Sequence, residues 1–204
     1  MKVCFLLLAL SVYLPGYSQP DQKDGHKDSL WFKANLTGDP VQIKRWTDQL
    51  GDNFLVLTET KATKSAEPTS KSGCLNGCTD KELFAYHFVR KDSLLWKLND
   101  FLKSCNFENS VEFKKSATNI TDLDKNGIAE VWVMYSMSCS LDGNARTVKL
   151  IMYQGNKKYA IRGFTQPAKE KEDKKQLDYV PDKEFQKLPQ AFKDFALKLW
   201  SLAG

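Results

Sequence analysis

The sequence predicts an α+β, mainly β fold: an antiparallel β-meander sheet with a C-terminal amphipathic helix packed on it. Three observations carry that prediction. Apolar runs come in pairs joined by short turns. The run AEVWVMYSM, Ala129 to Met137, is apolar on both faces, which places it centrally in its sheet. Near the end, Phe185, Leu188, Phe192, Phe195, Leu199 and Leu202 recur at three- and four-residue steps, the spacing of one helix face.

Taken in order, the chain starts with Lys2, an apolar run from Val3 to Leu14, and the small residues Gly16 and Ser18. This is the pattern of a secretory signal peptide, 1–18, and it implies export. Residues 19–29 are polar and aperiodic, a mobile leader; residues 30–204 form a single β-rich domain with its C-terminal helix. VQIKRWT (41–47) and NFLVLTE (53–59) flank a turn containing Asp48, Gly51 and Asp52, a first hairpin. Residues 61–73 are poor in apolar side chains and read as an exposed loop. ELFAYHFVR (82–90) and SLLWKLNDF (93–101) make a second hairpin. After AEVWVMYSM, the runs VKLIMY (148–153) and KKYAIRG (157–163) are joined across Gln154, Gly155 and Asn156, a third hairpin. Asp142 and Gly143 read as a turn, and Pro189 marks the start of the main part of the helix.

The 204 residues are 42% hydrophobic and 27% charged, which suits one globular domain and excludes a disordered chain. The net charge of +5 is too mild, and its lysines too mixed with acids, for a nucleic-acid partner. No later stretch reaches the roughly 18 apolar residues of a membrane helix, so the mature chain has no transmembrane segment.

Cleavage removes Cys4 and leaves Cys74, Cys78, Cys105 and Cys139. An even count in an exported chain points to disulfides, with three connectivities open. The preferred pairing is Cys74 with Cys78, across CLNGC, and Cys105 with Cys139. A redox pair normally has two intervening residues, and a zinc site needs paired ligands at spacings absent here.

One motif carries specific chemistry. In TDLDKNGIAEVWVMY, Asp122, Asp124 and Asn126 stand at positions 1, 3 and 5 of a loop, Gly127 at 6, the Ile128 carbonyl at 7 and Glu130 at 9. Alternate oxygens wrap one point, Gly127 allows the sharp turn, and hard oxygen donors suit calcium in a structural role. Position 12 is Val133 and not a bidentate glutamate, so the loop is no EF-hand. It resembles instead the calcium loops of FG-GAP-type propeller blades. The competing reading is a plain Asp/Asn/Gly turn without an ion.

No catalytic set is assigned. His87 lies within a strand and reads as a core or face residue, and the chain has no HExxH, G-x-S-x-G, P-loop or G-x-G-x-x-G. Asp100, Glu108 and Glu112 are the carboxylates that glycosidase-type chemistry would draw on.

TDLDKNGIAEVWVMY followed by KLIMYQGNKKYAIRG resembles an uncharacterised exported bacterial family labelled as surface polysaccharide biosynthesis protein. FLVLTET, LFAYHF, LWKLNDFLKSC and FALKLW extend the resemblance over most of the mature chain, and Cys105 and Cys139 fall where that family's cysteines are expected. SLDGN after Cys139 departs from a more usual Arg-Gly-Asp stretch. The resemblance implies a Gram-negative periplasm or cell surface, and a part in surface glycan (O-antigen) production. Partners would then be an envelope protein or a surface glycan. The expected protein is a non-catalytic binding or assembly domain; the alternatives are a glycan-modifying enzyme with carboxylate chemistry, or a protein-interaction module of the envelope.

Overall fold

A computed structural model describes residues 36–66, 77–90, 93–141, 146–165 and 179–203, with the backbone of Lys23–Asp24. Asp142 and Gly143, the signal segment and Cys74 lie outside the described residues.

The strands are antiparallel and form two sheets. In the first, β1 (Lys23–Asp24) pairs β2 (Asp39–Asp48), β2 pairs β3 (Gly51–Glu59), and β3 pairs β5 (Thr79–Val89). The two-residue β4 (Thr63–Lys64) continues along the same edge of β5, and β6 (Ser93–Cys105) takes its other edge. In the second sheet, β7 (Glu108–Phe113) and β8 (Asn119–Thr121) share one edge of β9 (Glu130–Ser140). Beyond β9 follow β10 (Arg146–Gln154), β11 (Lys157–Thr165) and β12 (Tyr179–Pro181).

The three expected hairpins are present as β2–β3, β5–β6 and β10–β11, the last turning at Gly155 with φ +56°. The single meander sheet is replaced by two sheets packed face to face. The cause lies between Cys105 and Glu108: β7 does not turn back on β6 but crosses to the second sheet and pairs β9. Trp46, Leu55, Leu57, Leu83, Ala85 and Leu98 from the first sheet meet Val111, Ile120, Val131, Val133, Tyr135 and Ile151 from the second in one buried core. Trp96 stacks on Tyr153 across it, ring centroids 4.0 Å apart.

The opposite face of the second sheet is covered by α1 (Lys183–Gln186) and α2 (Gln190–Trp200), which bury Phe185, Phe192, Ala196, Leu199 and Trp200 on Trp132, Met134, Leu150 and Met152. β9 is therefore apolar on both faces because one looks into the sandwich and the other at the helices. Leu202 departs from the predicted stripe: it lies in the turn after α2 and is 43% exposed. Asp182 fixes the start of α1, one oxygen accepting from Phe185 N (2.7 Å) and the other from Ala160 N of β11 (2.8 Å). Such a cap is worth about 1 kcal/mol.

A disulfide joins Cys105, the last residue of β6, to Cys139 of β9, and so staples one sheet to the other. Cys78 is buried and disulfide-bonded. Among the described residues no helix is long and apolar enough to cross a membrane.

Candidate metal centre

The loop between β8 and β9 folds back on itself through hydrogen bonds from its own acids and amide. Asp122 Oδ2 accepts from Gly127 N at 3.1 Å, Asp124 Oδ1 from Asn126 N at 3.3 Å, and Asn126 Oδ1 from Ile128 N at 2.8 Å. Lys125 and Gly127 take positive φ, +56° and +79°. Gly127 is favoured by its positive φ, and an added Cβ would also push aside the exposed Gln49 side chain.

This turn brings one carboxylate oxygen from each of Asp122, Asp124 and Glu130 within 4.8 Å of one another, a group that can hold a metal ion. Asp124 is exposed, Asp122 half-buried and Glu130 fully buried. Glu130 Oε2 accepts from Thr121 Oγ1 (2.6 Å) and Leu123 N (2.9 Å), and Thr121 Oγ1 in turn accepts from the buried Trp132 Nε1 (2.8 Å). Burial pushes the Glu130 carboxyl above the usual range, and the charges of Asp124 and Asp122 add to that push. The Thr121 and Leu123 donors pull it back. Asp122 Oδ1 is buried with no hydrogen-bond partner among the described residues. Of the predicted ligands, Asp122, Asp124 and Glu130 converge. Asn126 spends its side-chain oxygen on Ile128 N and its amide on Asp124 Oδ2 (3.0 Å).

Three further residues support this loop, of which the sequence marks Asp48 and Gln154 only as hairpin-turn residues and Gln49 not at all. Gln154, at the end of β10, donates from Nε2 to Asp124 Oδ2 (3.0 Å) and Glu130 Oε1 (3.2 Å). Gln49 N donates to Gly127 O (2.8 Å), and Asp48 Oδ2 accepts from Ala129 N (3.0 Å), so the β2–β3 turn of the first sheet clasps the loop. Asp48 also accepts from Trp46 Nε1, Leu50 N and Asn53 Nδ2. Asn53 donates from Nδ2 to Asp48 and to Gly51 O, which leaves its Oδ1 to accept from His87 Nε2 at 2.8 Å. His87 is thereby fixed as the Nε2–H tautomer, with a buried, unpartnered Nδ1 between Trp46 and Trp96.

Compared with protein-family models, with curated proteins and with solved structures, the chain matches none.

Two of the other acids singled out by the sequence, Asp100 and Glu112, serve as ion-pair partners. Asp100 Oδ2 accepts from the buried Tyr135 hydroxyl (2.8 Å) and pairs with Lys149 (2.5 Å), while Glu112 faces Lys81 at 3.6 Å. A cavity of about 320 Å³ opens between β11, β12 and the helices, bounded by Ile161, Tyr179, Pro181, Phe185, Lys193 and Leu197. No carboxylate lines it.

Proposed function

We propose that the protein is an exported, non-catalytic binding or assembly domain of the cell envelope whose fold is fastened by a structural calcium ion in the 122–130 loop. One observation carries the reading: the Asp122 and Asp124 carboxylates converge on the buried Glu130, and Asp122 Oδ1 is left buried without a donor among the described residues. A divalent cation relieves both, supplying a partner for the orphaned oxygen and offsetting the mutual repulsion. Hard oxygen donors favour calcium over softer metals. Asp122, Asp124 and Glu130 would hold the ion, and Gln154, whose Nε2 donates to Asp124 Oδ2 and Glu130 Oε1, would be the neighbouring side chain with an amide oxygen to offer it. Support for a non-catalytic role comes from the commitments of the reactive groups: His87 is shut in the core and Asp100 is held by Tyr135 and Lys149.

The test is thermal unfolding of the mature protein with calcium and with chelator, beside an Asp124→Ala variant. Calcium at a hundred times its Kd adds about 2.7 kcal/mol, or roughly 5–10 °C for a chain of this size. That shift is expected in the parent and lost in the variant; no shift and no heat of titration would leave the loop a plain turn. On the resemblance alone we further propose a part in surface polysaccharide biosynthesis, and an unchanged surface polysaccharide after gene deletion would remove that part of the reading.

A further inference from the structure

The inner face of the second sheet extends beyond the cover of the first. Along β11, Lys158, Ala160, Arg162 and Phe164 share the face that looks into the sandwich, because the alternate Ile161 packs under the helices. Ala160 is buried there, but Phe164 is 61% exposed and Val180, directly opposite Arg162 on β12, is 71% exposed. The cover ends at β6, whose Trp96 stacks on Tyr153 and whose Asp100 pairs with Lys149. Lys149 is the cross-strand neighbour of Arg162, and Tyr153 that of Lys158. What results is an open ledge with two aromatic and aliphatic surfaces, Phe164 and Val180, flanking an exposed guanidinium, and a lysine seated over the Tyr153 ring at 5.9 Å.

The charges on this ledge are unequal. Lys149 is taken by Asp100, whose same oxygen is shared with Tyr135. Asp182, the other acid whose charge reaches Lys158, has both oxygens occupied by Ala160 N and Phe185 N. Arg162 and Lys158 form no ion pair among the described residues. Burial, then the positive charge of Arg162 and of Lys149, hold the Lys158 ammonium below the usual lysine range, with Asp100 and Asp182 opposing. An anion placed between Arg162 and Lys158 relieves that repulsion.

We infer that this ledge binds a carboxylate-bearing sugar chain, with the carboxylate on Arg162 and Lys158 and the apolar faces of sugar rings on Phe164 and Val180. The planar guanidinium fork matches a carboxylate. The flanking apolar surfaces fit the C–H faces of a sugar ring and have nothing to offer a phosphate chain, which favours an acidic glycan over polyphosphate. The inference rests on the reading of the protein as a binding domain and gives that domain a ligand class.

The experiment is calorimetric titration of the mature protein with a hyaluronan tetrasaccharide, which alternates uronates with neutral sugars, beside neutral chitotetraose and inorganic polyphosphate. Expected is binding of the uronate oligomer that weakens with added salt, with the neutral oligomer at least about tenfold weaker. Arg162→Ala should weaken binding by at least about tenfold and Phe164→Ala by roughly fivefold, while both keep the parent's melting temperature and its calcium shift. No heat at millimolar uronate, or affinity unchanged in Arg162→Ala, overturns the proposal. So does polyphosphate binding as tightly as the uronate and indifferent to Phe164→Ala, which marks a general anion patch. A dimer in sedimentation that Phe164→Asp dissolves also overturns it, since the ledge is then an interface between copies. Each of these failures leaves the calcium-dependent melting where it was, so the two readings fail separately.

Discussion

Asp48→Ala removes the acceptor that holds four donors and ties the two sheets together at the acidic 122–130 loop. Its carboxylate receives Leu50 N at 2.8 Å, Asn53 Nδ2 at 2.9 Å, Ala129 N at 3.0 Å and Trp46 Nε1 at 3.1 Å. Leu50 is half-buried and its N–H rehydrates, and Asn53 keeps Gly51 O. The Trp46 ring and Ala129 are 3% and 4% exposed, so their two N–H groups are left dry. A hydrogen bond to a charged group is worth about 1.5–3 kcal/mol, which for two uncompensated donors gives a loss of roughly 3–6 kcal/mol. Against a total stability on the order of 10 kcal/mol the variant still folds, with melting lowered by roughly 10 °C. Urea unfolding followed by tryptophan fluorescence, in chelator so that no ion contributes, measures it. Asp48→Asn, which keeps one acceptor oxygen, should fall between parent and alanine variant. A loss under about 1 kcal/mol for Asp48→Ala would refute the reasoning, because it would mean that water replaces the carboxylate and the turn does not clasp the loop.

Two further outcomes follow from the same core. Burial holds the His87 imidazole down to about 4, opposed only in part by the charge of Asp48. The unfolded chain therefore binds the proton first, and stability is full above about pH 6.5 and falls as pH drops toward 4, by roughly 3 kcal/mol; a His87→Gln variant whose stability keeps the parent's slope across that window would contradict this. The Cys105–Cys139 bridge closes a sequence separation of 34 residues. By the chain-entropy estimate its loss in a Cys105→Ala/Cys139→Ala variant costs about 3–4 kcal/mol, read as a lower urea midpoint under non-reducing conditions, and an unchanged midpoint would show that the clasp alone holds the sheets.

Hairpins were legible because their information is local: β2–β3, β5–β6 and β10–β11 each carry alternation and a turn within about 20 to 27 residues. The division into two sheets was not. It depends on β7, whose ENSVEF shows no turn back to β6 and whose pairing with β9 is a contact over some thirty residues. The acidic loop was legible as a spacing of oxygens, and Asp122, Asp124 and Glu130 do converge. Its outer supports were not, because Asp48 lies 81 residues from Ala129 and Gln154 lies 24 from Glu130, distances at which spacing says nothing. The helix stripe was read one turn too far, since Leu202 keeps the period after the helix has ended.

The position of β9 has a consequence for how the chain finds its pairing. A strand with one wet face declares its register, since a slip of one residue would drive its polar side chains inward. β9 is buried almost along its length on both faces, so alternation alone would tolerate a slipped ladder nearly as well as the correct one. What distinguishes them sits chiefly at the strand's two ends, Glu130 with the neighbouring Ala129 held by Thr121 and Asp48 at one and Cys139 bound to Cys105 at the other, with the hydrogen bonds of Trp132 to Thr121 and of Tyr135 to Asp100 between them. A frame shift would forfeit both anchorages together. The polar loop and the disulfide thus give an otherwise featureless apolar strand its frame of reference.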